Sequence, residues 1–171
     1  MKKARSKADE SPWFLEVLDA SAFYSGLPFT SETTSYTTPQ ILDEIQHIKG
    51  KYDMTQVLID TGRLKIAEAD EQDIKIVKDL ARQTNDITKL SKQDISVLAL
   101  CKNLNGELIT DDFAMSNVAK TMKINVIPIM TKGIKHVGKW IYYCPRCKVN
   151  FNGVTNCDRC GGILNRKLLK R

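Results

Sequence analysis

The sequence contains no long hydrophobic run, since none of its apolar stretches approaches the roughly 18 residues of a membrane-spanning helix. The chain has only two histidines, His47 and His136, which are isolated and lack the spacing of metal ligands. No glycine-rich phosphate loop follows a predicted strand, and no Ser-His-Asp order is present. These absences argue against a membrane-spanning protein, a glycine-loop nucleotide-binding protein and a serine hydrolase. We assign the two histidines no role.

The N-terminal segment, MKKARSKADESPW, is basic like the start of a signal peptide. However, Glu16 and Asp19 interrupt the apolar stretch that follows, and no small-residue cleavage site comes after it. We therefore predict a cytoplasmic protein with no membrane partner, in which residues 1–12 form a basic flexible tail.

The composition is that of an ordinary globular protein, because 42% of the 171 residues are hydrophobic and 27% are charged. These fractions exclude a disordered or fibrous chain. The net charge of +6 is unevenly distributed. Residues 132–171 hold ten Lys and Arg against one acid, Asp158, whereas residues 9–131 hold 12 basic and 19 acidic residues. An acidic body is thus joined to a basic C-terminal segment, which favours a polyanionic partner.

Four of the five cysteines lie in the basic segment, as two C-x-x-C pairs. Two residues between thiolates let one tight turn direct both sulfurs at one ion, and two such turns complete a tetrahedral zinc site. Gly161 and Gly162 follow the second pair and supply the positive φ that such turns often need. The alternatives, two disulfides or a redox pair, fit a cytoplasmic chain poorly. The spacing therefore predicts one structural zinc ion, bound by Cys144, Cys147, Cys157 and Cys160.

The segment around these cysteines is predicted to be a zinc ribbon over residues 140–171, after a linker over 132–139. One strand, over 139–143, leads into the first pair, and another, over 163–169, leaves the second. A module this small depends on its metal for stability. Its aromatic and basic side chains are candidates for stacking on unpaired bases and binding phosphates: Lys139, Trp140, Arg146, Lys148, Arg159, Arg166 and Lys167. Alternatively, Trp140 and Tyr142 only cover the metal site.

The acidic body alternates predicted strands with predicted helices. The strands lie over 14–18, 64–67, 107–109 and 125–129, and the helices over 39–48, 54–61, 71–83, 91–104 and 114–122. This order predicts right-handed crossovers and a parallel sheet covered by helices on both faces. The fold class is therefore α/β, with a three-layer α/β/α body. Residues 30–38, rich in Ser and Thr, are predicted to form a flexible loop near a site, and Cys101 to be a core residue.

Two acidic residues lie where parallel α/β sheets build their sites, beyond the carboxyl ends of strands. Asp19 ends the first predicted strand, and Asp112 follows the strand over 107–109. Asp is also common at helix caps and strand ends, so each of them has a structural alternative.

Two further acids lie on predicted helices. On the helix over 39–48, the apolar face leaves Glu44 at its border and Asp43 on the opposite side, so that Glu44 is the acid able to reach the sheet edge. Asp94 follows Ser91 at the spacing of a capping box, which is its structural alternative. Four converging carboxylates would repel one another unless a divalent cation joined them, and hard oxygen ligands suit Mg²⁺ or Mn²⁺. Such a metal can activate water for phosphodiester hydrolysis.

Four segments resemble, in order, the acidic motifs of PIN-domain nucleases. They are the LDASAF run from Leu18, the helix bearing Glu44, the LSKQD run ending at Asp94, and the LITDDFAMSNVA run from Leu108. Followed by a four-cysteine ribbon, the chain is similar to the Nob family, endonucleases that mature the 3′ end of small-subunit ribosomal RNA. The resemblance covers residues 13–171, and the compact size is similar to that of archaeal members.

The resemblance implies a PIN nuclease domain over residues 13–131. It further implies that Ser21 and Thr110 order the site, and that the family's Thr-x-Asp spacing selects Asp112 rather than Asp111. The catalytic Mn²⁺ or Mg²⁺ would be bound by Asp19, Glu44, Asp94 and Asp112.

The same resemblance implies a metal-dependent endoribonuclease that cuts single-stranded precursor rRNA at the small-subunit 3′ end, in the pre-ribosomal particle. The basic ribbon would dock on the RNA, and a ribosomal protein or assembly factor is a candidate partner. Two alternatives stay open, a catalytically idle RNA-binding assembly factor and a toxin-like PIN ribonuclease that acts on transfer RNA. The second explains the acids but not the ribbon. The sequence leaves the oligomeric state undetermined.

Overall fold

A computed structural model describes residues 15–47, 51–133, 137–151 and 155–170, without the side chains of residues 51, 52 and 170. The predicted tail over 1–12, residue 14 of the first predicted strand, the last residue of the predicted helix over 39–48, and His136 in the predicted linker lie outside these ranges. In chain order the elements are β1 (Glu16–Leu18), α1 (Ala20–Ser25), α2 (Leu27–Thr30), β2 (Ser35–Thr37), α3 (Pro39–Ile45), α4 (Lys51–Asp60), β3 (Leu64–Ile66), α5 (Glu71–Gln83), α6 (Lys92–Leu104), β4 (Glu107–Ile109), α7 (Phe113–Thr121), β5 (Val126–Ile127), β6 (Gly138–Tyr143), β7 (Asn150–Phe151) and β8 (Asn165–Lys170).

The body is built on a five-stranded parallel sheet with the order β3-β2-β1-β4-β5. β1 is the central strand, and Leu18 at its end pairs with Ile109 at the end of β4. Helices flank this sheet, so the α/β class and the parallel sheet are confirmed. Because all five strands run the same way, the residues that follow β1, β2 and β4 lie together at one edge of the sheet.

Helix α6 packs against the centre of the body, and every residue from 95 to 101 is buried. It contacts α3, α5 and α7 as well as strands β1 and β4. Its middle section is nearly all apolar, as expected of a helix segment at such a central position, and its polar residues lie at the two ends. Cys101, on this helix, is fully buried, as predicted for a core residue. Burial raises the pKa of its thiol.

The Ser- and Thr-rich segment over 30–38 contains a buried strand, so the prediction of a flexible loop was wrong for residues 35–37. Ser35 and Thr37 are buried in β2, which pairs with both β1 and β3. The Thr37 hydroxyl donates to the backbone oxygen of Leu18 at 2.9 Å, which satisfies its polar group inside the protein. Threonine is β-branched and suits a pleated strand, a preference that the polar composition concealed.

Two short helices, α1 and α2, were not predicted. Their boundary is Gly26, whose φ of 84° ends α1 in the left-handed conformation that glycine adopts without strain. Helix α5 and strand β4 have the predicted bounds, while α7 begins one residue earlier than predicted and β5 is limited to residues 126–127.

The C-terminal segment forms a separate three-stranded antiparallel sheet with the order β7-β6-β8. β6 begins at Gly138, inside the predicted linker, and pairs with β8 along its whole length. A side chain at Gly138 would collide with the backbone oxygen of Leu169 on β8, which explains the glycine. In the described part of the chain, no helix combines the length and the apolar character that crossing a membrane requires.

Candidate active site and metal centre

Asp19 lies at the carboxyl end of the central strand and is only 5% exposed. One of its carboxylate oxygens, Oδ2, accepts hydrogen bonds from the Ser21 hydroxyl at 3.1 Å and the Thr110 hydroxyl at 2.8 Å. Burial raises the pKa of Asp19, and the nearby charge of Asp94 adds to the rise, whereas the two hydroxyl groups oppose it. Because both hydroxyl groups use Oδ2, neither occupies Oδ1.

Thr110 connects Asp19 to the start of α7. Its fully buried hydroxyl donates to Asp19 and accepts the backbone N–H of Asp112 at 3.1 Å. Asp112 is the N-cap of α7, and its Oδ1 accepts the backbone N–H of Met115 at 2.7 Å. The structural role expected of an N-cap aspartate is therefore present, and the carboxylate is also exposed at the edge where Asp19 lies.

The neighbouring acid, Asp111, organises a different feature. Its carboxylate accepts hydrogen bonds from the backbone N–H groups of Ile129, Met130 and Thr131, and from the Thr131 hydroxyl. This carboxylate thus shapes the loop that follows β5. The two consecutive aspartates therefore have different hydrogen-bond partners, and no feature of the sequence indicated that Asp111 shapes this loop.

Glu44 and Asp94 come from two helices whose starts are tied together. The hydroxyl groups of Thr38, at the N-cap of α3, and Ser96, on α6, are hydrogen-bonded at 2.9 Å in the interior. Asp94 completes a capping box with Ser91, because each residue's side chain accepts a hydrogen bond from the other's backbone N–H. Burial raises the pKa of Glu44, and the negative charges of Asp19 and Asp94 raise it further.

Asp19, Glu44 and Asp94 are thus close enough that negative charges of this group raise the pKa values of Asp19 and Glu44, and Asp112 is joined to Asp19 through Thr110. Asp43, by contrast, is exposed and accepts a hydrogen bond from the side chain of Gln46 at the end of the same helix. Among the described residues only the four ribbon cysteines come close enough together to enclose an ion by themselves. The acids are more widely spaced, which suits a hydrated Mg²⁺ or Mn²⁺ that keeps several of its waters.

The four ribbon cysteines converge in two equivalent turns. The backbone N–H of Lys148 donates to the oxygen of Cys144, and that of Gly161 to the oxygen of Cys157, both at 2.8 Å. Lys148 and Gly161 have φ values of 60° and 66°, so the glycine expected in the second turn has a lysine counterpart in the first. The two C-x-x-C pairs therefore adopt the same local fold.

The four Sγ atoms lie within 4.8 Å of one another. The Cys144 and Cys160 sulfurs are 3.6 Å apart, far beyond the about 2 Å of a disulfide bond. Tetrahedral zinc with Zn–S bonds of about 2.3 Å places its sulfurs about 3.8 Å apart, close to the observed spacing. The hydrogen bond from the Cys147 N–H lowers the pKa of Cys144 to about 6, whereas the neighbouring thiol of Cys160 raises that of Cys147 to about 12. Sulfurs so close together need a cation before all four can ionise.

The predicted RNA-binding residues of the ribbon fall into two groups. Trp140 and Arg166 stack on each other, with the guanidinium 4.2 Å from the ring centre, and both contact the body. Tyr142 packs on the cysteine cluster instead, so the alternative that an aromatic covers the metal site holds for this residue. The other basic residues form no ion pair with any described acid: Lys139, Arg146, Lys148, Arg159 and Lys167.

Comparison with known proteins agrees with this arrangement. A family model described as "PIN domain of ribonuclease" matches residues 17–104. The chain is 38% identical over 161 residues to endoribonuclease Nob1 of Methanocaldococcus jannaschii, covering 91% of this chain and 79% of that protein. It is 34% identical over 158 residues to endoribonuclease Nob1 of Pyrococcus abyssi, covering 91% and 93%. Ribonuclease VapC1 of Thermoplasma acidophilum is 33% identical over 156 residues, covering 91% and 79%.

A match over 91% of the chain leaves fewer residues unmatched than the ribbon contains, so these alignments extend beyond the nuclease body into the ribbon. The family model covers the part of the body that contains Asp19, Glu44 and Asp94. On these grounds the chain belongs to the PIN-domain endoribonucleases of the Nob family.

Proposed function

We propose that this endoribonuclease cuts single-stranded precursor rRNA at the 3′ end of the small-subunit rRNA, during assembly of the ribosomal particle. The ribosomal substrate rests on the family resemblance and on the endoribonuclease Nob1 relatives. The observation that supports the chemistry most directly is that Asp19 and Glu44 lie close enough to other acids of the group for those charges to raise their pKa values, with Asp19 held at the end of β1 by two hydroxyl groups. Asp112 is the fourth proposed ligand of the catalytic ion.

The proposed catalytic ion is Mn²⁺ or Mg²⁺. When bound, such an ion activates water and stabilises the charge of the leaving oxygen in phosphodiester hydrolysis. The carboxylate of Asp19 provides a buried negative charge, and the Ser21 and Thr110 hydroxyls hold its orientation. Because Thr110 also binds the N–H of Asp112, it keeps the two proposed ligands in register. The raised pKa values of Asp19 and Glu44 mean that their ionised forms are unfavourable without a compensating charge. A cation bound between them would stabilise these ionised forms.

We further propose that the ion held by the four cysteines is zinc. Zinc would stabilise the ribbon, whose own buried cluster is small: Cys144, Cys157 and Leu164. The proposed RNA-docking surface comprises the exposed basic residues of this module. The body has an acidic balance and repels RNA, so the ribbon's positive charge would provide most of the affinity. We expect one zinc ion per purified chain. Replacing Cys144 by Ser should remove this ion and, with it, the strand structure of the ribbon.

The decisive experiment uses purified protein and an RNA that spans the 3′ end of small-subunit rRNA, with Mn²⁺ or with EDTA. We expect one metal-dependent cut at the mature end, which is lost in the variants Asp19→Asn and Glu44→Gln. Asp43→Asn is the matched control, because this acid lies on the same helix and outside the cluster. An RNA that stays intact with every divalent metal while it is still bound would instead indicate the idle assembly factor.

The second candidate is a toxin-like PIN ribonuclease that acts on transfer RNA, and the similarity to ribonuclease VapC1 favours it. This function predicts that transfer RNA is cut while the ribosomal precursor stays intact. The same set of variants tested on both RNAs therefore distinguishes the two enzymes.

A further inference from the structure

The first half of β6 pairs with β8 along one edge and with the nuclease body along the other. β7 pairs only with Tyr142 and Tyr143, so among the described strands none covers the same edge of β6 from residue 138 to residue 140. Backbone groups left open at such an edge need partners when they are buried. The body supplies these partners at two positions, Gly138 and Trp140.

At Gly138 the partner is a side chain. The amide of Asn117, on α7, accepts the Gly138 N–H at 3.0 Å and donates to the Gly138 oxygen at 2.8 Å. It thereby makes both hydrogen bonds that a neighbouring strand would make. Asn117 is only 3% exposed, and its Nδ2 also donates to Asp86 at 2.6 Å.

At Trp140 the partners are the two residues that follow α5. The Trp140 N–H donates to the backbone oxygen of Thr84 at 3.0 Å, and its own oxygen accepts from the Asn85 side chain at 2.6 Å. Asn85 has a φ of 58°, so this side chain is presented from a left-handed turn. The body therefore continues the sheet of the ribbon by four hydrogen bonds, two at each position.

An ion pair completes this contact. Arg166, on β8, donates to the carboxylate of Asp86 at 3.2 Å and to the backbone oxygen of Asn85 at 3.3 Å. Asp86 is fully buried, so its charge needs compensating partners, of which the body contributes Asn117 and the ribbon contributes Arg166. We call Asp86, Asn85, Asn117 and Arg166, with the backbone of Gly138 and Trp140, the polar joint.

The polar joint is attached to the elements that hold the catalytic acids. Asn117 lies on α7, whose N-cap is Asp112. Residues 84–86 lie between α5 and α6, and α6 begins with the capping box of Asp94. The ribbon is therefore bonded to α7 directly, and to the segment that leads from α5 into α6; α6 and α7 carry Asp94 and Asp112.

We infer that Asn117, Asn85 and Asp86 are positioning residues that hold the ribbon in one orientation relative to the acid cluster, and so decide which phosphodiester bond is cut. The inference rests on the proposed function, in which RNA docks on the ribbon and is cut in the body. A freely tethered ribbon would present many bonds of the docked strand to the acids, whereas a fixed one presents a single bond.

The experiment compares wild type with Asn117→Ala and Asn85→Gly. The first variant removes three hydrogen bonds of the polar joint, and the second removes one while keeping the left-handed turn that glycine tolerates. Asn103→Ala is the matched control, because its amide binds Asp70 and Asp73 away from the ribbon. Zinc content and circular dichroism identify any variant that has failed to fold.

Two readouts are recorded for each folded variant. ¹⁵N relaxation should give one common tumbling time for body and ribbon in wild type and in Asn103→Ala, and separate times in the joint variants. The ratio of docked to undocked ribbon should fall roughly tenfold or more in Asn117→Ala, as expected when buried hydrogen bonds are removed. On the ribosomal RNA the joint variants should cut at several neighbouring positions, while their Mn²⁺-dependent rate on a short unstructured RNA stays close to that of wild type.

A wild-type ribbon that tumbles independently of the body would overturn the inference, and so would joint variants that tumble separately but still cut at one unchanged position. A failure of the proposed function looks different. If wild type leaves the ribosomal RNA intact, that substrate is wrong, while the relaxation data still decide whether the polar joint is rigid.

Discussion

At the scale of single residues, the site depends on how one buried carboxylate is surrounded. Asp19 is an acid that any strand end could carry, and its proposed role as a metal ligand depends on its neighbours. The hydrogen bonds from the Ser21 and Thr110 hydroxyls offset part of the rise in the pKa of Asp19 that burial causes, and they leave its negative charge in place. Residue types at the right spacing made these groups candidates. Their hydrogen bonds depend on the pairing of β1 with β4, which brings together residues 91 positions apart.

Thr110→Val tests the influence of one hydroxyl on the pH dependence of cleavage. Burial raises the pKa of Asp19 and the Thr110 hydroxyl opposes this, so its removal should raise the pKa further. The ionised form of Asp19 is then reached only at higher pH, so the acid limb of the pH profile of cleavage should shift to higher pH. The rate at neutral pH should fall by roughly 10- to 100-fold, as for other groups that orient metal ligands. Thr121→Val, which removes a hydroxyl bonded within α7, should leave the profile in place.

Asp19→Asn tests the cost of this carboxylate to stability. The pKa of Asp19 is raised in the folded protein, so the folded state prefers the protonated form. The favourable contribution is complete below the usual carboxyl pKa and is lost as the pH rises through the raised value. Without divalent metal at neutral pH, the variant should therefore melt higher, by roughly 2–4 °C for a gain of about 1 kcal/mol. Equal melting temperatures from acid to neutral pH would contradict this explanation.

At the scale of elements, two of the proposed metal ligands also take part in helix capping. Asp94 completes the capping box of α6 with its N-cap, Ser91, and Asp112 is the N-cap of α7. The capping-box spacing predicted the first cap correctly, since Ser91 and Asp94 are bonded reciprocally. A cap is a local feature, so the sequence reveals it. Whether the capping carboxylate also faces other acids depends on the packing of α6 against α3, which the sequence does not reveal.

Ser91→Ala and Asp94→Asn separate the two roles of this cap. The alanine variant loses the hydroxyl that accepts the Asp94 N–H and should be less stable by about 1 kcal/mol, with cleavage nearly unchanged. Asparagine retains a side-chain oxygen for the Ser91 N–H but loses the charge. We therefore expect Asp94→Asn to be nearly as stable as wild type and to cut at least about 100-fold more slowly. Equal losses of activity in both variants would mean that Asp94 acts through the helix alone.

At the scale of the whole molecule, charge is segregated between the two parts of the chain. Residues 9–131 have an excess of acids, and residues 132–171 have ten basic residues and one acid. Not all of this positive charge faces outward, because Arg166 is bound to Asp86 of the body. The sequence overestimates the charge available to RNA for this reason, since composition does not distinguish a basic residue on the surface from one used in an internal ion pair.

The salt dependence of RNA binding measures which basic residues bind phosphates. Binding is measured in the Asp19→Asn background to prevent cleavage. Replacing both Arg146 and Arg159 by Ala should reduce the slope of log K against log salt by roughly 0.7 for each phosphate that the protein no longer neutralises. Arg82→Ala, which removes an exposed arginine paired with Asp79 on the body, should leave the slope unchanged. A slope unaffected by the double substitution would exclude these two residues from the docking surface.

The sequence by itself determined the α/β class, the four-cysteine site and the set of candidate acids, because these features depend on local spacing and on periodicity. The prediction of a flexible loop at residues 35–37 was wrong, because burial rather than polarity decides whether threonine joins a sheet. Only the tertiary structure decided that Asp111 shapes a loop, and that Trp140 and Arg166 face the nuclease body. The physical reason is distance along the chain: Asn85 and Trp140 are 55 residues apart, and no local pattern specifies a hydrogen bond between them.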